Sequence, residues 1–274
     1  MPANRIESRD NLRLKHVRRV RDGREPGQIY IEGVRLAEEA VRSGLGIVDG
    51  FYVTGFDDAE RERELLMSLS RRCDDLFELP GRLFSSIADT KTAQGIILLC
   101  DRPASDRESF EQRINFGGQN LPLVVMLNEV NNPSNLGAVV RTAEAAGAAG
   151  LIVSKNSADA FSAKALRSAM GAAFRLPIWE DADVNAALEW ARSEGFRTIA
   201  ASGGGETDYL ALDWKRPSLL ILGSEAHGLS QELTTRADTT VRIAMTESVE
   251  SLNLAVSAGV ILFEARRQCA AIRG

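Results

Sequence analysis

Three short segments of the sequence combine amide, hydroxyl, acidic and glycine residues in patterns that suit a binding or catalytic site. The first segment, residues 131–137, contains Asn135 and Gly137 and is followed four residues later by Arg141. An amide both donates and accepts hydrogen bonds, and a guanidinium keeps its proton and binds phosphate or carboxylate groups. The segment therefore suits recognition of a polar ligand, and the alternative is a capped helix with a surface arginine.

The second segment, residues 222–229, places Glu225 between Gly223 and Gly228, directly after a short apolar run. Glycine lets the backbone approach another group closely because it has no Cβ. A loop of this kind can bring its acidic side chain and its backbone against a ligand. His227 lies in the same loop and is interpreted as an ordinary loop residue.

The third segment, residues 243–253, ends in Ser251 and Asn253, just before a long apolar stretch. Their side chains can orient a ligand through uncharged hydrogen bonds. Capping of the helix that follows would explain Ser251 equally well. Both interpretations place the segment at the start of the last helix.

Several common site motifs are absent from the sequence. It contains no GxxxxGK[ST] phosphate loop, no GxGxxG after a strand and no GxSxG nucleophile elbow. Its two histidines are His16 and His227, and its three cysteines form no CxxC pair. We therefore expect no metal site, and the common phosphate-loop and hydrolase sites are excluded.

All three segments follow predicted strands in the second half of the chain. Strands and helices alternate from residue 121 to residue 268, and the apolar run at 121–127 is typical of a strand buried on both faces. This alternation predicts an α/β domain over residues 121–274, with a parallel sheet and helices on both faces. Ligands bind beyond the carboxyl ends of strands in such sheets, so the segments are expected to meet there.

Residues 1–100 also alternate between strands and helices, which predicts a small separate α/β domain. Residues 101–120 contain a proline, two adjacent glycines and many charges, and are interpreted as an interdomain linker with one helical turn at residues 108–114. The last helix, predicted at residues 252–268, is apolar on more than one side. Such a helix is either buried between layers or shared with a second subunit.

Composition limits the classes of protein and partner. The 274 residues are 44% hydrophobic and 26% charged, as in ordinary globular proteins, and the net charge is −5. The apolar runs are far shorter than the roughly 20 residues of a spanning helix, and no secretory signal is visible. We therefore expect a cytoplasmic protein with no membrane partner.

Residues 5–24 nevertheless hold eight basic and three acidic side chains. That stretch suits contact with nucleic-acid phosphates, and a solvated helix face is the alternative.

The three segments resemble the three motifs of the SpoU/TrmH family of RNA ribose 2′-O-methyltransferases, part of the SPOUT superfamily. The order and spacing fit over residues 121–267. The matching residues are Asn135, Gly137 and Arg141 in the first motif, Gly223, Glu225, Gly228 and Leu229 in the second, and Ser251, Leu252 and Asn253 in the third. One departure is visible at residues 132–135, where Asn-Pro-Ser-Asn replaces the frequent Asp-Pro-Gly-Asn. An amide then stands in place of a carboxylate, which could shift substrate preference.

The resemblance implies a fold and an assembly. The C-terminal domain would contain a deep trefoil knot, an exception to the rule that chains are unknotted. The first domain would be a ribosomal-protein-like substrate-binding domain, to whose recurring segments residues 30–35 and 92–96 are similar. Family members form homodimers through the knot, so we expect a two-fold dimer with Arg141 close to the subunit boundary and to the methyl group of the cofactor.

The resemblance also implies S-adenosylmethionine as the cofactor, held against Gly223, Ile243 and Leu252. This cofactor has no phosphate, which agrees with the absence of a phosphate loop. The catalytic residues carried over from the motifs are Arg141, Asn135, Glu225, Ser251 and Asn253. Since a guanidinium keeps its proton, binding of the target phosphate is the favoured role of Arg141, and a role as base is the alternative. Glu225 would hold either the arginine or the cofactor loop.

The expected function is methylation of a ribose 2′-hydroxyl in a structured RNA, with 23S ribosomal RNA favoured over tRNA and no role for DNA. An antibiotic-resistance methyltransferase for the same RNA and a noncatalytic RNA-binding protein are the alternatives. Phosphate contacts are expected from Lys15, Arg18, Arg24 and Arg35.

Overall fold

The protein is described by a computed structural model that covers residues 4–116, 120–246 and 251–270. The chain divides into two compact units. The first comprises the residues up to Pro103 together with Phe161–Phe174, and the second comprises Ala104–Ala160 and the residues from Arg175 onward. Each unit has its own sheet and its own buried core.

Strands and helices alternate along most of the chain. The strands are β1 (Asn4–Arg5), β2 (Gln28–Glu32), β3 (Ile47–Val53), β4 (Cys73–Leu79), β5 (Ile96–Asp101), β6 (Leu123–Leu127), β7 (Gly150–Ser154), β8 (Ile178–Ala182), β9 (Arg197–Ala201), β10 (Thr207–Asp208), β11 (Ser218–Leu222) and β12 (Thr239–Arg242). The helices are α1 (Leu12–Arg21), α2 (Val34–Ser43), α3 (Glu60–Leu69), α4 (Gly81–Ser85), α5 (Arg107–Arg113), α6 (Pro133–Ala146), α7 (Ala163–Ala169), α8 (Ala172–Arg175), α9 (Val184–Ser193), α10 (Gln231–Arg236) and α11 (Leu254–Ala270). Short 3₁₀ turns lie at Phe56–Asp58 and Tyr209–Ala211.

The first unit is built on a mixed five-stranded sheet in the order β1-β4-β3-β5-β2. Strand β5 runs antiparallel to β2 and β3, whereas β4 is parallel to β1 and β3. Helix α1 buries Leu14, Val17 and Val20, because apolar residues three apart share one face of a helix. These side chains pack in one core with Phe51 and Ile97 of the sheet.

Helix α7 belongs to the first unit although it follows β7 of the second unit in the chain. It lies against β2, and Arg167 on it forms an ion pair with Asp89 at 2.7 Å. The sequence pattern predicts a single helix over residues 161–173. The helix is broken instead at Met170 and Gly171, whose φ angles of 50° and 88° are left-handed and cannot continue an α-helix.

The second unit is a seven-stranded sheet in the order β10-β12-β9-β11-β6-β7-β8, and all of its described strand pairs are parallel. Strands β6 and β11 are neighbours in register from Leu123 and Ser218 to Leu127 and Leu222. Every residue of these two strands is buried, as expected where helices cover both faces. The predicted parallel α/β sheet is confirmed.

The order of the strands decides which loops meet. Because β6 and β11 are adjacent and parallel, the loops that leave their carboxyl ends begin side by side. Helix α6 follows the first of these loops, and α11 packs against α6 so closely that a Cβ on Gly259 would lie 3.6 Å from the Thr142 methyl. The starts of both helices and the turn after β11 therefore lie at one edge of the sheet.

Residues 101–120, expected to form a linker, contain helix α5. Asp106 caps this helix, since its carboxylate accepts from the Ser109 amide at 2.9 Å. Phe110 is buried in the core of the second unit beside Trp179. A capped helix with one large buried side chain is thus part of the second unit.

Other differences from the predicted elements are small. The sequence pattern predicts the last strand at residues 241–245, whereas β12 spans Thr239–Arg242. Strands β1 and β10 were not predicted because two residues show no periodicity. In the described ranges, no helix has the length and the apolar character needed to cross a membrane.

Candidate functional site

The first segment forms the start of α6 at the carboxyl end of β6. Asn132 caps the helix, because its side-chain oxygen accepts from the Ser134 amide at 3.0 Å. Pro133 occupies the first helical position, where no backbone N–H is needed. The capping role suggested for this segment therefore belongs to Asn132. The side chain of Asn135, in the first turn of the helix, remains available for other contacts.

Backbone crowding explains Gly223, and a left-handed φ explains Gly228, in the turn after β11. A Cβ on Gly223 would lie 2.2 Å from the carbonyl carbon of Gly228, closer than any side chain allows. The Gly228 amide donates to the Ser224 carbonyl at 2.9 Å, and its φ is +64°. The close approach expected at Gly223 is therefore made by the turn's own backbone. Glu225 and His227 lie exposed between the ends of this turn.

A chain of side-chain hydrogen bonds connects the three segments. The Asn135 amide nitrogen donates to the Glu225 carboxylate, and the Asn253 amide nitrogen donates to the Asn135 oxygen at 3.3 Å. The Asn253 oxygen in turn accepts from the backbone amides of Ala255 at 3.0 Å and Val256 at 3.4 Å. Three residues predicted from separate segments, up to 118 positions apart, are thus in direct contact.

A cleft of about 350 Å³ lies at the carboxyl ends of β9, β11 and β12. All three residues predicted to bind the cofactor line it, and so do Glu225 and Ser251. The lining is Ala201, Ser202, Gly203, Leu222, Gly223, Ser224, Glu225, Ala226, Gly228, Leu229, Val241, Ile243, Met245, Ser251, Leu252, Leu254, Ser257 and Ile261. Aliphatic groups and serine hydroxyls dominate, and Glu225 is the one charged side chain in this described lining. Such a surface suits an apolar ring and a positive charge, and it offers no cation to a phosphate.

Arg141 lies about one and a half turns beyond Asn135 on α6, and it is exposed. Among the described residues it has neither a hydrogen-bond nor an ion-pair partner, and it does not line the cleft. Its guanidinium is therefore available to an anion that approaches from solvent.

Ser251 is exposed at the cleft, and Asn253 occupies the capping position of α11 through the two backbone bonds given above. The explanation of Ser251 as the helix cap is therefore wrong. Residues 247–250, which precede it in the third segment, lie outside the described residues.

The four residues predicted to bind RNA lie in different surroundings. Arg18 is half-buried and donates to the carbonyl and the hydroxyl of Ser86, at 3.3 and 3.0 Å. Lys15, Arg24 and Arg35 are exposed. Other arginines of the basic stretch form ion pairs within the unit, namely Arg13 with Asp49 and Asp75, Arg19 with Glu25, and Arg21 with Asp22. These pairs offset much of the positive charge of residues 5–24.

Two serines of the cleft, Ser202 and Ser257, lie outside the three segments selected from the sequence. Ser202 follows β9, so the strand-end rule that selected the three segments would have found it as well. Ser257 lies on α11, where the apolar pattern dominates. Across residues 4–116, 120–246 and 251–270, no group of three or more His, Cys, Asp and Glu side chains is placed to hold a metal ion.

Comparison with known families gives two matches that together cover most of the chain. The sequence model described as the SpoU rRNA Methylase family matches residues 122–263. The model described as the MRM3-like substrate binding domain matches residues 5–98. All three segments described above lie within the first match.

Similar proteins include two methyltransferases of ribosomal RNA. The 23S rRNA (uridine(2479)-2′-O)-methyltransferase of Streptomyces viridochromogenes is 32% identical over 88% of this chain and 83% of its own length. The 23S rRNA (guanosine(2553)-2′-O)-methyltransferase RlmP of Bacillus subtilis is 28% identical over 95% of this chain and 98% of its own. The crystal structure of the SpoU methyltransferase AviRb from Streptomyces viridochromogenes in complex with AdoMet has a TM-score of 0.84 and 29% identity, over 95% of this chain and 99% of that chain.

Proposed function

The chain belongs to the SpoU rRNA methylase family, and we propose that it transfers a methyl group from S-adenosylmethionine to a ribose 2′-hydroxyl of 23S ribosomal RNA. The observation that carries this proposal is the hydrogen-bonded chain of Asn253, Asn135 and Glu225, which joins the three motifs beside the cleft. The two relatives named for 23S rRNA align over at least 83% of their own length, which supports the same class of substrate.

The lining of the cleft fits S-adenosylmethionine. The adenosyl part is uncharged and the sulfonium is positive, so aliphatic walls, hydroxyls and a single carboxylate suit the molecule. We assign Gly223, Ile243 and Leu252 to its binding. When bound, S-adenosylmethionine supplies an electrophilic methyl group. A phosphate-bearing cofactor would need cationic groups, which the described lining does not contain.

The residues of the three motifs orient the ribose. Asn135 donates to Glu225 and accepts from Asn253, so its amide is fixed before the substrate binds. Glu225 is thereby a positioning residue for Asn135. Ser251 and Asn253 add uncharged hydrogen-bonding groups beside the cleft, and these can hold the ribose hydroxyls in a productive direction.

Arg141 binds the phosphate of the target nucleotide in this proposal. Its guanidinium is exposed, has no partner among the described residues and matches phosphate geometry with paired N–H donors. Because arginine keeps its proton in nearly any environment, we assign it to binding and orientation of the substrate and not to removal of the hydroxyl proton.

The acceptor group makes RNA the substrate, because DNA has no 2′-hydroxyl. The first unit, whose residues 5–98 match a substrate-binding domain, would hold the RNA. We also propose that this unit has a ribosomal-protein-like fold. Its contacts with RNA phosphates are assigned to Lys15, Arg18, Arg24 and Arg35. An enzyme of ribosomal RNA is also expected in the cytoplasm.

We further propose that the second unit contains the deep trefoil knot of the family and that the protein is a homodimer. Val256 and Phe263 are seven residues apart on α11 and are each 50% exposed, so one apolar face of this helix is uncovered in a single chain. Arg141 lies on α6, against which α11 packs. A dimer through this face would bring Arg141 close to the subunit boundary.

The proposal is tested by incubating the purified protein with a 23S rRNA transcript and S-adenosylmethionine and mapping ribose methylation. We expect methylation at one nucleotide by the wild-type protein, and a loss of rate of about 100-fold or more for Arg141→Ala, the range seen when one transition-state contact is removed. Arg236→Ala, on α10, is the control and should retain full activity. Methylation of a base, or none at all, would refute the proposed reaction, and a fully active Arg141→Ala would remove that residue from the mechanism.

A further inference from the structure

A second cleft, of about 650 Å³, lies within the first unit. It is enclosed by the start of α2, the residues before β5 and helix α7, and it shares no residue with the cleft of the second unit. Its charged lining residues are three arginines, Arg35, Arg61 and Arg167, and two glutamates, Glu32 and Glu62, and Thr92 and Gln94 line it as well. Its volume is in the range of pockets that hold nucleotide-sized molecules.

The backbone around this cleft is held by buried hydrogen bonds. The Glu32 carboxylate accepts from the Tyr30 hydroxyl at 2.8 Å and from the Asp89 amide at 2.7 Å. Gln94 accepts from the Val34 amide at 3.1 Å, which fixes the first turn of α2. The cleft is therefore preformed, and a ligand does not have to organise it.

Arg167 presents a donor without an acceptor. One of its terminal nitrogens binds Asp89 at 2.7 Å, while the other, Nη1, is buried and has no partner among the described residues. Buried N–H groups in folded proteins are almost always paired. Arg167 lines the cleft, so the unpaired donor on its guanidinium indicates an acceptor that a ligand supplies.

Arg61 and Arg35 differ in whether a carboxylate already binds the guanidinium. Arg61 is held by the Glu38 carboxylate through two bonds of 2.7 and 2.8 Å. Arg35 is exposed on the first turn of α2 and takes part in no ion pair within the described chain. Arg35 and Arg167 are thus the two cations that can bind an incoming anion.

From these observations we propose that the cleft binds one unstacked nucleotide of the RNA, with its phosphate on Arg35 and Arg167. Paired guanidinium donors are the groups best suited to phosphate oxygens. Proteins recognise single-stranded RNA through nucleotides turned out of the stack, and Thr92 and Gln94 supply polar groups for the base or ribose. The inference rests on the proposed function, since it places a second contact with the same RNA.

The cleft is tested by calorimetry with guanosine 5′-monophosphate, uridine 5′-monophosphate and phosphate-free uridine, on the full chain. We expect both monophosphates to bind at least about tenfold more tightly than uridine, because an ionic hydrogen bond is lost with the phosphate. Arg35→Ala and Arg167→Lys should each weaken monophosphate binding by about tenfold. The lysine keeps the charge and can still pair with Asp89, so folding is preserved. Arg82→Ala, at an exposed arginine of α4 that does not line the cleft, is the matched control.

Equal affinity for uridine and its monophosphate, no binding to the wild type, or unchanged affinity in both variants would overturn the proposal. In the methylation assay the two variants should raise the KM for RNA about tenfold and leave kcat and the affinity for S-adenosylmethionine unchanged. A short single-stranded RNA should bind more tightly than the monophosphates; the reverse order would identify a free nucleotide as the ligand and refute the RNA contact. If the wild-type protein binds the monophosphates as expected but methylates no RNA, the proposed function is contradicted and the nucleotide site in the cleft is not.

Discussion

Asn135 is the residue on which the candidate site depends most. Its single amide accepts from Asn253 and donates to Glu225, so it connects helix α6 with both neighbouring segments. Neither Asn253 nor Glu225 is buried, and water can replace part of a lost bond at such positions. These two hydrogen bonds therefore orient the side chains of the site more than they stabilise the fold.

Leu252 provides a test of the cofactor cleft that is separate from methyl transfer. Its side chain lines the cleft and is 37% exposed, so its replacement should affect folding little. We expect Leu252→Lys to weaken binding of S-adenosylmethionine by about 30-fold or more, since burial of a leucine side chain contributes about 2 kcal/mol and the lysine would repel the sulfonium. Isothermal titration calorimetry measures this directly.

Leu210→Lys is the matched control for this change, because Leu210 is 56% exposed and does not line the cleft. It should bind S-adenosylmethionine as the wild type does. Unchanged affinity in Leu252→Lys would show that the cofactor is bound elsewhere.

The sequence predicted which residues gather at the site, and less well what each of them does there. Residue type and position after a strand were sufficient for Asn135, Glu225 and Asn253. The pairing of Asn135 with Glu225 depends on β6 and β11 being neighbours, which no local pattern contains. The close approach expected at Gly223 is present, but the group that makes it could not be predicted, because it lies five residues further along the turn.

Helix α11 is fixed at its end by a network around Glu264. This carboxylate is buried and accepts from Arg267 and from Gln268, at 2.7 and 2.8 Å. Gln268 also donates to the Leu212 carbonyl at 3.0 Å and accepts from the Trp214 amide at 2.9 Å. The helix that begins at the candidate site is thus held to the second unit by a charged hydrogen-bond network.

This network predicts a dependence of stability on pH. The hydrogen bond from Arg267 is the main cause that lowers the pKa of Glu264 below its ordinary value of 4.5. A carboxylate with a lowered pKa in the folded state stabilises the protein above its unfolded pKa, and this contribution is lost as the pH falls through the folded pKa. We expect Glu264→Gln to lower the Tm by a few degrees at pH 7 and by progressively less as the pH falls below 4.5.

Thermal unfolding followed by circular dichroism between pH 3 and pH 7 measures this difference. Glu232→Gln is the control, because the Glu232 side chain is 81% exposed and its ion pair with Arg236 spans 3.6 Å. A Glu264→Gln variant whose Tm is lowered equally at both ends of the pH range would show that lost packing, and not ionisation, is responsible.

Three regular elements were predicted to the residue. The alternation of strands and helices predicts a helix at residues 184–193 and strands at 197–201 and 218–222, and these are the bounds of α9, β9 and β11. The break in the helix predicted at residues 161–173 was missed although Gly171 is a residue that often ends helices. The left-handed φ of Met170 runs against the preference of a residue with a side chain, so residue type could not have predicted it.

The uncovered face of α11 leads to a prediction about the assembly of the molecule. Phe263 is 50% exposed, so Phe263→Asp removes apolar surface without disturbing the core of a single chain. If two copies meet through this face, a buried carboxylate at the boundary should dissociate the dimer, whereas Met67→Asp, 53% exposed on α3 of the first unit, should not.

Light scattering coupled to size-exclusion chromatography distinguishes these outcomes. A wild-type protein that is monomeric at the concentration of the methylation assay would refute the dimer. A Phe263→Asp variant that stays dimeric would place the interface on another surface.

The interleaving of the two units along the chain has a consequence for how such a protein can evolve. Phe161–Phe174 belongs to the first unit but is encoded between segments of the second. A single recombination event near Pro103 would exchange most of the first unit and leave behind Arg167 and Met170, which line its cleft. Changes in RNA preference that arise by gene shuffling would therefore need matching substitutions in this inserted stretch. We therefore expect the residues up to Pro103 and Phe161–Phe174 to be inherited together among relatives.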